Sequence, residues 1–199
     1  MVKQAKKIAD RFTSVADYLD SFTQPLVEET RASLCSGLEV AGKAPSCEIS
    51  RLVPLKLKSK QAKSRFCYNI LTRGNKSLKN PRGDYEPQSG DLVLLTNSTL
   101  KGMHSLNIPE IQFVIASVLK LNGGSFYKFR LVSAKEINPE LRPNGPNRVY
   151  ATYLINMTTN IRIWRALNPN PKTANLSLIE KVLQYDPAVS TYFLNSLHP

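Results

Sequence analysis

The sequence predicts an α+β fold: a small, mostly antiparallel β-barrel of about six strands, flanked by N- and C-terminal helices. Three observations carry this. Apolar residues recur at helical spacing before position 42 and again after 158, whereas between 47 and 156 they alternate with polar ones. The alternating segments follow one another through short connections with no helical pattern between them, which favours a barrel over a parallel sheet. Finally, 199 residues with 42% hydrophobic content suffice for one real core and exclude wholesale disorder.

The elements follow in order. Thr13-Ser14 offers an N-cap, with Val15, Tyr18, Leu19 and Phe22 at helical spacing behind it. Gln24-Pro25 interrupts, and Pro25 is expected to open a second helix with Glu28 and Glu29 in its electropositive first turn. Leu26, Thr30, Leu34 and Leu38 make one stripe down that helix, and Gly42 and Pro45 end it. From Cys47 the period becomes alternating. Leu55 and Leu57 are expected to face the core between Lys56 and Lys58, and Phe66, Tyr68 and Ile70 between Arg65, Cys67 and Asn69. The basic connection Ser59–Ser64 reads as a hairpin. A polar loop from Arg73 to Ser89 follows, and Gly90-Asp91 turns the chain into Leu92–Leu95. Ile111–Leu119 and Phe126–Val132 are strands joined through Asn122-Gly123-Gly124, and Val149–Ile155 is the last strand. Helical spacing returns after Thr158-Thr159 with Ile161, Trp164 and Leu167, and Asn175–Tyr185 and Pro187–Leu197 read as two further helices.

The charge is uneven. The chain has 27 Lys+Arg against 15 Asp+Glu, a net +12, yet Lys43 to Arg82 alone holds eleven basic residues and one acid, Glu48. Lys56, Lys58 and Lys60 share a strand face, with Arg51 and Lys63 beside them, and Arg65 extends the face from the partner strand if the register allows. The loop adds Arg73, Lys76, Lys79 and Arg82. Such a row repels itself, and a phosphate backbone relieves the repulsion by counterion release without reading sequence. The competing reading is a solvated strand face whose lysines discourage edge-to-edge aggregation. Tyr68 and Phe66 fit as core residues and Trp164 as helix packing. Tyr85, in a loop, is the one freer aromatic for base stacking.

Recognisable catalytic signatures are missing. No phosphate-binding loop, dinucleotide fingerprint or nucleophile elbow is present. Cys35, Cys47 and Cys67 are odd in number and unpaired by spacing, and only His104 and His198 could assist them, so no metal site, cofactor or disulfide framework is expected. Glu28 and Glu29 are adjacent on a helix and do not face each other. No run approaches the ~18 apolar residues of a membrane span, and the N-terminus has no signal-peptide core.

Phe12–Phe22 and Pro25–Ser36, then Gly90–Leu95, then Tyr153–Leu167, resemble in order three blocks of a domain found in plant senataxin-like (Magatama-type) superfamily 1 helicases, just upstream of the ATPase core. The resemblance implies a small barrel carried on stalk helices over a nucleic-acid channel. No Walker motif or motor domain follows here, so neither ATP hydrolysis nor unwinding carries over. The expected layout is a basic extension over 1–12 and a helicase-accessory-type domain over 13–168, followed by a helical appendage over 169–199. Within the domain, helices are expected over 14–41, the barrel over 47–156 and a helix over 158–168. The expected function is non-catalytic, sequence-nonspecific binding of RNA or single-stranded DNA. The alternative is a protein-interaction module, acting as adaptor, antagonist or decoy. For it, the C-terminal helices would offer Val182, Leu183, Tyr185, Tyr192, Phe193 and Leu197. A nuclear or cytoplasmic setting is expected, the nucleus being favoured by the resemblance; a mitochondrial one stays open.

Overall fold

The structure, a computed structural model, describes residues 12–55, 65–72, 85–121, 127–138, 141, 143, 148–170, 180, 181 and 183. The chain divides into two compact units. One is Arg31–Thr159; the other takes in the chain up to Thr30 and from Asn160 onward.

Helix α1 (Val15–Glu39) begins where the sequence places its cap. Ser14 Oγ accepts from the Asp17 backbone N–H at 3.1 Å, and the rings of Phe12, Tyr18 and Phe22 pack together over the first turns. The expected break at Pro25 does not occur: Pro25 lies inside one continuous helix. A proline there removes a donor and crowds the preceding turn, at about 3 kcal/mol or more. The apolar stripe continues across it, with Leu19 and Leu26 buried on either side, so tertiary packing overrides the local penalty. Glu28 and Glu29 are therefore mid-helix and not in a first turn. Gln24 Nε2 donates to Glu28 Oε1 at 3.1 Å, a one-turn side-chain pair.

Six strands follow: β1 (Ser46–Leu55), β2 (Phe66–Thr72), β3 (Asp91–Thr96), β4 (Phe113–Lys120), β5 (Phe129–Ser133) and β6 (Val149–Asn156). They close into a barrel in the order β1-β2-β5-β4-β3-β6, with every neighbouring pair antiparallel. The expected hairpin pairings β1–β2 and β4–β5 are both present, while their turns lie outside the described residues. The α+β barrel expected from the sequence is therefore the observed fold. Helix α2 (Thr158–Leu167) follows β6 directly.

One strand face differs from the expectation. Between Ile49 and Arg51 the β1–β2 register shifts by a bulge, so Ile49 and Leu52 both point inward and the later parity reverses. Leu55, paired with Cys67, therefore faces outward with Arg51 and Val53 and is only half-buried. Leu57 lies outside the described residues. Pro54 is accommodated because β1 pairs with β6 only over Ser46–Ile49, so beyond Arg51 one of its sides has no ladder to supply.

The barrel interior is one apolar cluster that includes Leu52, Tyr68, Ile70, Val93, Val118, Leu131 and Val149. Residues from the connections pack on this cluster at both ends. At one end Ile137 and Leu141 are buried, and the Ile137 backbone N–H donates to Tyr68 Oη at 3.0 Å. At the other, Tyr85 and Tyr153 pack ring to ring at 5.8 Å beside Asp91. A second cluster lies on the outside of β3, β4 and β6, where Leu34, Leu38 and Ala41 meet Leu94, Ile115 and Leu154. Gly37 permits this approach: a Cβ there would stand 2.8 Å from the Leu154 carbonyl oxygen.

Candidate functional site

The end of α1 covers the outside of β3, β4 and β6, and among the described residues this second cluster does not extend over β1, β2 and β5. Of the ten residues expected to meet nucleic acid, Arg51 and Arg65 are described, and both are exposed. Lys56, Lys58, Lys60, Lys63, Arg73, Lys76, Lys79 and Arg82 lie outside the described residues.

Arg51 pairs across from Leu71, near one end of β2, whereas Arg65 immediately precedes β2 at the other. At ~3.3 Å per residue the two are about 20 Å apart along the strand. Their connections diverge in the same way. The chain leaves β1 and re-enters β2 at the Ile137 end, but leaves β2 at Thr72 and returns at Tyr85 at the Asp91 end.

Two further cations share this wall. Arg130 on β5 pairs with Asn69, which pairs with Val53, so all three side chains face outward. Arg130 Nε donates to Asn69 Oδ1 at 3.3 Å. Lys128, just before β5, is exposed on the same parity. Counting charge over Lys43–Arg82 misses both, although their alternation around Phe129 in a predicted strand is a usable signal. Across β1, β2, β4 and β5 the sequence contains one acid, Glu48, in the stretch of β1 that pairs with β6.

A densely bonded polar group lies elsewhere. Asp91, 3% exposed, accepts from Tyr85 Oη at 2.6 Å, the Gln88 N–H at 2.8 Å and Asn156 Nδ2 at 2.7 Å. Tyr85 is therefore anchored rather than free for stacking, contrary to the expectation from its loop position. Burial, the hydrogen bond to Asp91 and that residue's charge push the Tyr85 phenol well above its ordinary range. Burial, then the Asp91 charge, also raises Tyr153. Burial pushes the Cys47 thiol up to about 12, the opposite of what a thiolate nucleophile requires.

The remaining candidates are dispersed. His104 is exposed in a 3₁₀ turn (Met103–Asn107), and His198 lies outside the described residues. All three cysteines are free. Among the described residues, no group of three His, Cys, Asp or Glu side chains could hold a metal, and no helix is long and apolar enough to cross a membrane. Trp164, expected to pack, is 44% exposed, and α2 buries none of its residues. Helical spacing gives Ile161 and Trp164 a common face but does not supply a cover for it. The appendage residues are largely outside the described set; Glu180, Lys181 and Leu183 are helical.

These features define a closed six-stranded antiparallel barrel preceded and followed in sequence by helices, with exposed cations on one wall and a buried polar anchor at one end. The chain belongs to the DUF6469 family, described as a domain of unknown function, whose model matches residues 1–190. No curated protein matches it.

Proposed function

We propose that the chain is a non-catalytic nucleic-acid-binding domain of the helicase-accessory type, acting on RNA or single-stranded DNA without sequence preference. The observation that carries this reading is the localisation of charge. Eleven basic residues and one acid fall between Lys43 and Arg82, the stretch that supplies β1, β2 and their connections. Arg51 within β1 and Arg65 at the entry to β2 are both exposed. Such a surface attracts phosphates, and the attraction weakens steeply with salt. The resemblance of the three sequence blocks to senataxin-like accessory domains supports the same reading.

Titration of labelled RNA over a range of salt concentrations tests it. The affinity should fall steeply as salt rises. Lys56/Lys58/Lys60→Ala should flatten the slope by about 0.7 for each single-strand phosphate that the variant no longer neutralises. Absent or salt-independent binding sinks the proposal.

A second reading, a protein-interaction module, is favoured by α2, where Ile161, Ile163 and Trp164 are all exposed. Capture of one protein partner that survives nuclease treatment and disappears in Trp164→Ala would favour this reading over the first.

A further inference from the structure

We propose that the outer wall of β1, β2 and β5 is the path of the bound polynucleotide, a single strand lying along β2 and held by Arg51, Lys128 and Arg130. This rests on the nucleic-acid reading above and assigns binding residues beyond the segment that suggested it. Three features of the wall lead here. Arg51 and Arg65, both exposed, stand at opposite ends of β2, so a ligand touching both must traverse the wall between them. The outward positions along that route carry Arg51, Asn69, Arg130 and the flanking Arg65 and Lys128, and no acid. Glu48 stands on the β6 side of the bulge.

The wall also selects among nucleic acids. Between its cations lie the half-buried side chains of Leu71 and Val132, and beside Arg130, on β4, lies the exposed Leu119. A duplex presents phosphates and sugars to a surface of this kind and leaves the apolar part uncovered. Unpaired bases cover it, and they stack on a guanidinium plane as well as on aromatic rings. The bond from Arg130 Nε to Asn69 holds that guanidinium across neighbouring strands before any ligand arrives. A surface prepared in this way loses less side-chain entropy on binding.

The test uses the whole chain, with labelled oligouridylate, oligothymidylate and an RNA duplex of equal length, followed by fluorescence anisotropy. Both single strands should bind more tightly than the duplex. Arg51→Ala/Lys128→Ala/Arg130→Gln should weaken single-strand binding roughly tenfold or more at physiological salt, and should flatten the salt dependence by about 0.7 for each phosphate left without its cation. A melting curve checks that this variant stays folded. Arg51→Glu, an exposed single change, gives an independent readout and should weaken binding in the same direction. If Lys56/Lys58/Lys60→Ala weakens binding while both wall variants bind like the parent, the wall path is overturned and the nucleic-acid reading survives. A preference for the duplex also overturns the wall path. If the parent binds none of the three probes, the underlying reading fails with it. Equal affinity for the two single strands supports recognition through phosphates and bases; a strong preference for oligouridylate supports the same wall with added hydrogen bonds to the 2′-hydroxyls.

Discussion

Asn156 Nδ2 donates to Asp91 Oδ1 at 2.7 Å, joining residues 65 apart in sequence, the last of β6 and the first of β3. Asp91 also takes the Tyr85 hydroxyl and the Gln88 N–H, so one buried carboxylate fixes two strands and the connection that packs at this end of the barrel. Asp91→Ala leaves those donors without their acceptor inside the fold. We expect a loss of about 1–3 kcal/mol, read as a lower urea midpoint at unchanged slope.

Gly90, next to this carboxylate, has φ +92, and a Cβ there would run into Thr158 Oγ1. Gly90→Ala should cost about 1–2 kcal/mol for the left-handed backbone, with the collision in addition. Gly90→Ala/Thr158→Ala should recover the collision part and leave the backbone part, which thermal melts of the two variants will separate.

Alkaline pH should destabilise the fold. Burial raises the Cys47 thiol to about 12 in the folded chain, against about 8.5 when unfolded. The folded state therefore holds its proton more tightly, so the contribution is complete below about pH 8.5 and is lost as pH rises towards 12. The half-buried Tyr85 phenol acts in the same direction at its own higher range. Melting temperatures should fall progressively above about pH 9, and less steeply in Cys47→Ala.

At the opposite end, Tyr68→Phe removes the acceptor of the buried Ile137 N–H while conserving the ring. The expected cost is about 1–3 kcal/mol. Hydrogen exchange at Ile137 should quicken more than at Leu131, whose partners lie deeper in the barrel.

The barrel is legible in the sequence because alternation survives in a strand buried on one face. Tyr68 and Ile70 show the expected parity, and the antiparallel hairpins follow from short connections. Leu55 departs from it because a bulge near Ser50 reverses parity without a glycine to announce it. Pro25 has less authority over α1 than its local chemistry suggests, since Leu19 and Leu26 are buried on either side of it. Tyr85 reads as a free loop aromatic because its acceptor, Asp91, belongs to the following strand. Arg130 and Lys128 lie far along the chain from the basic run, and only the β2–β5 pairing brings them to the same wall.

The pairing of β1 with β6 has a kinetic consequence. Ile49 finds its partner in Val149, about a hundred residues later, whereas β1–β2, β3–β4 and β4–β5 join strands close in sequence. Local hairpins can assemble early during synthesis, but the seam closes only once β6 has emerged from the ribosome. Until then the inward faces of Ile49 and Leu52 lack their last neighbours, and the nascent chain is most exposed to mispairing over that interval.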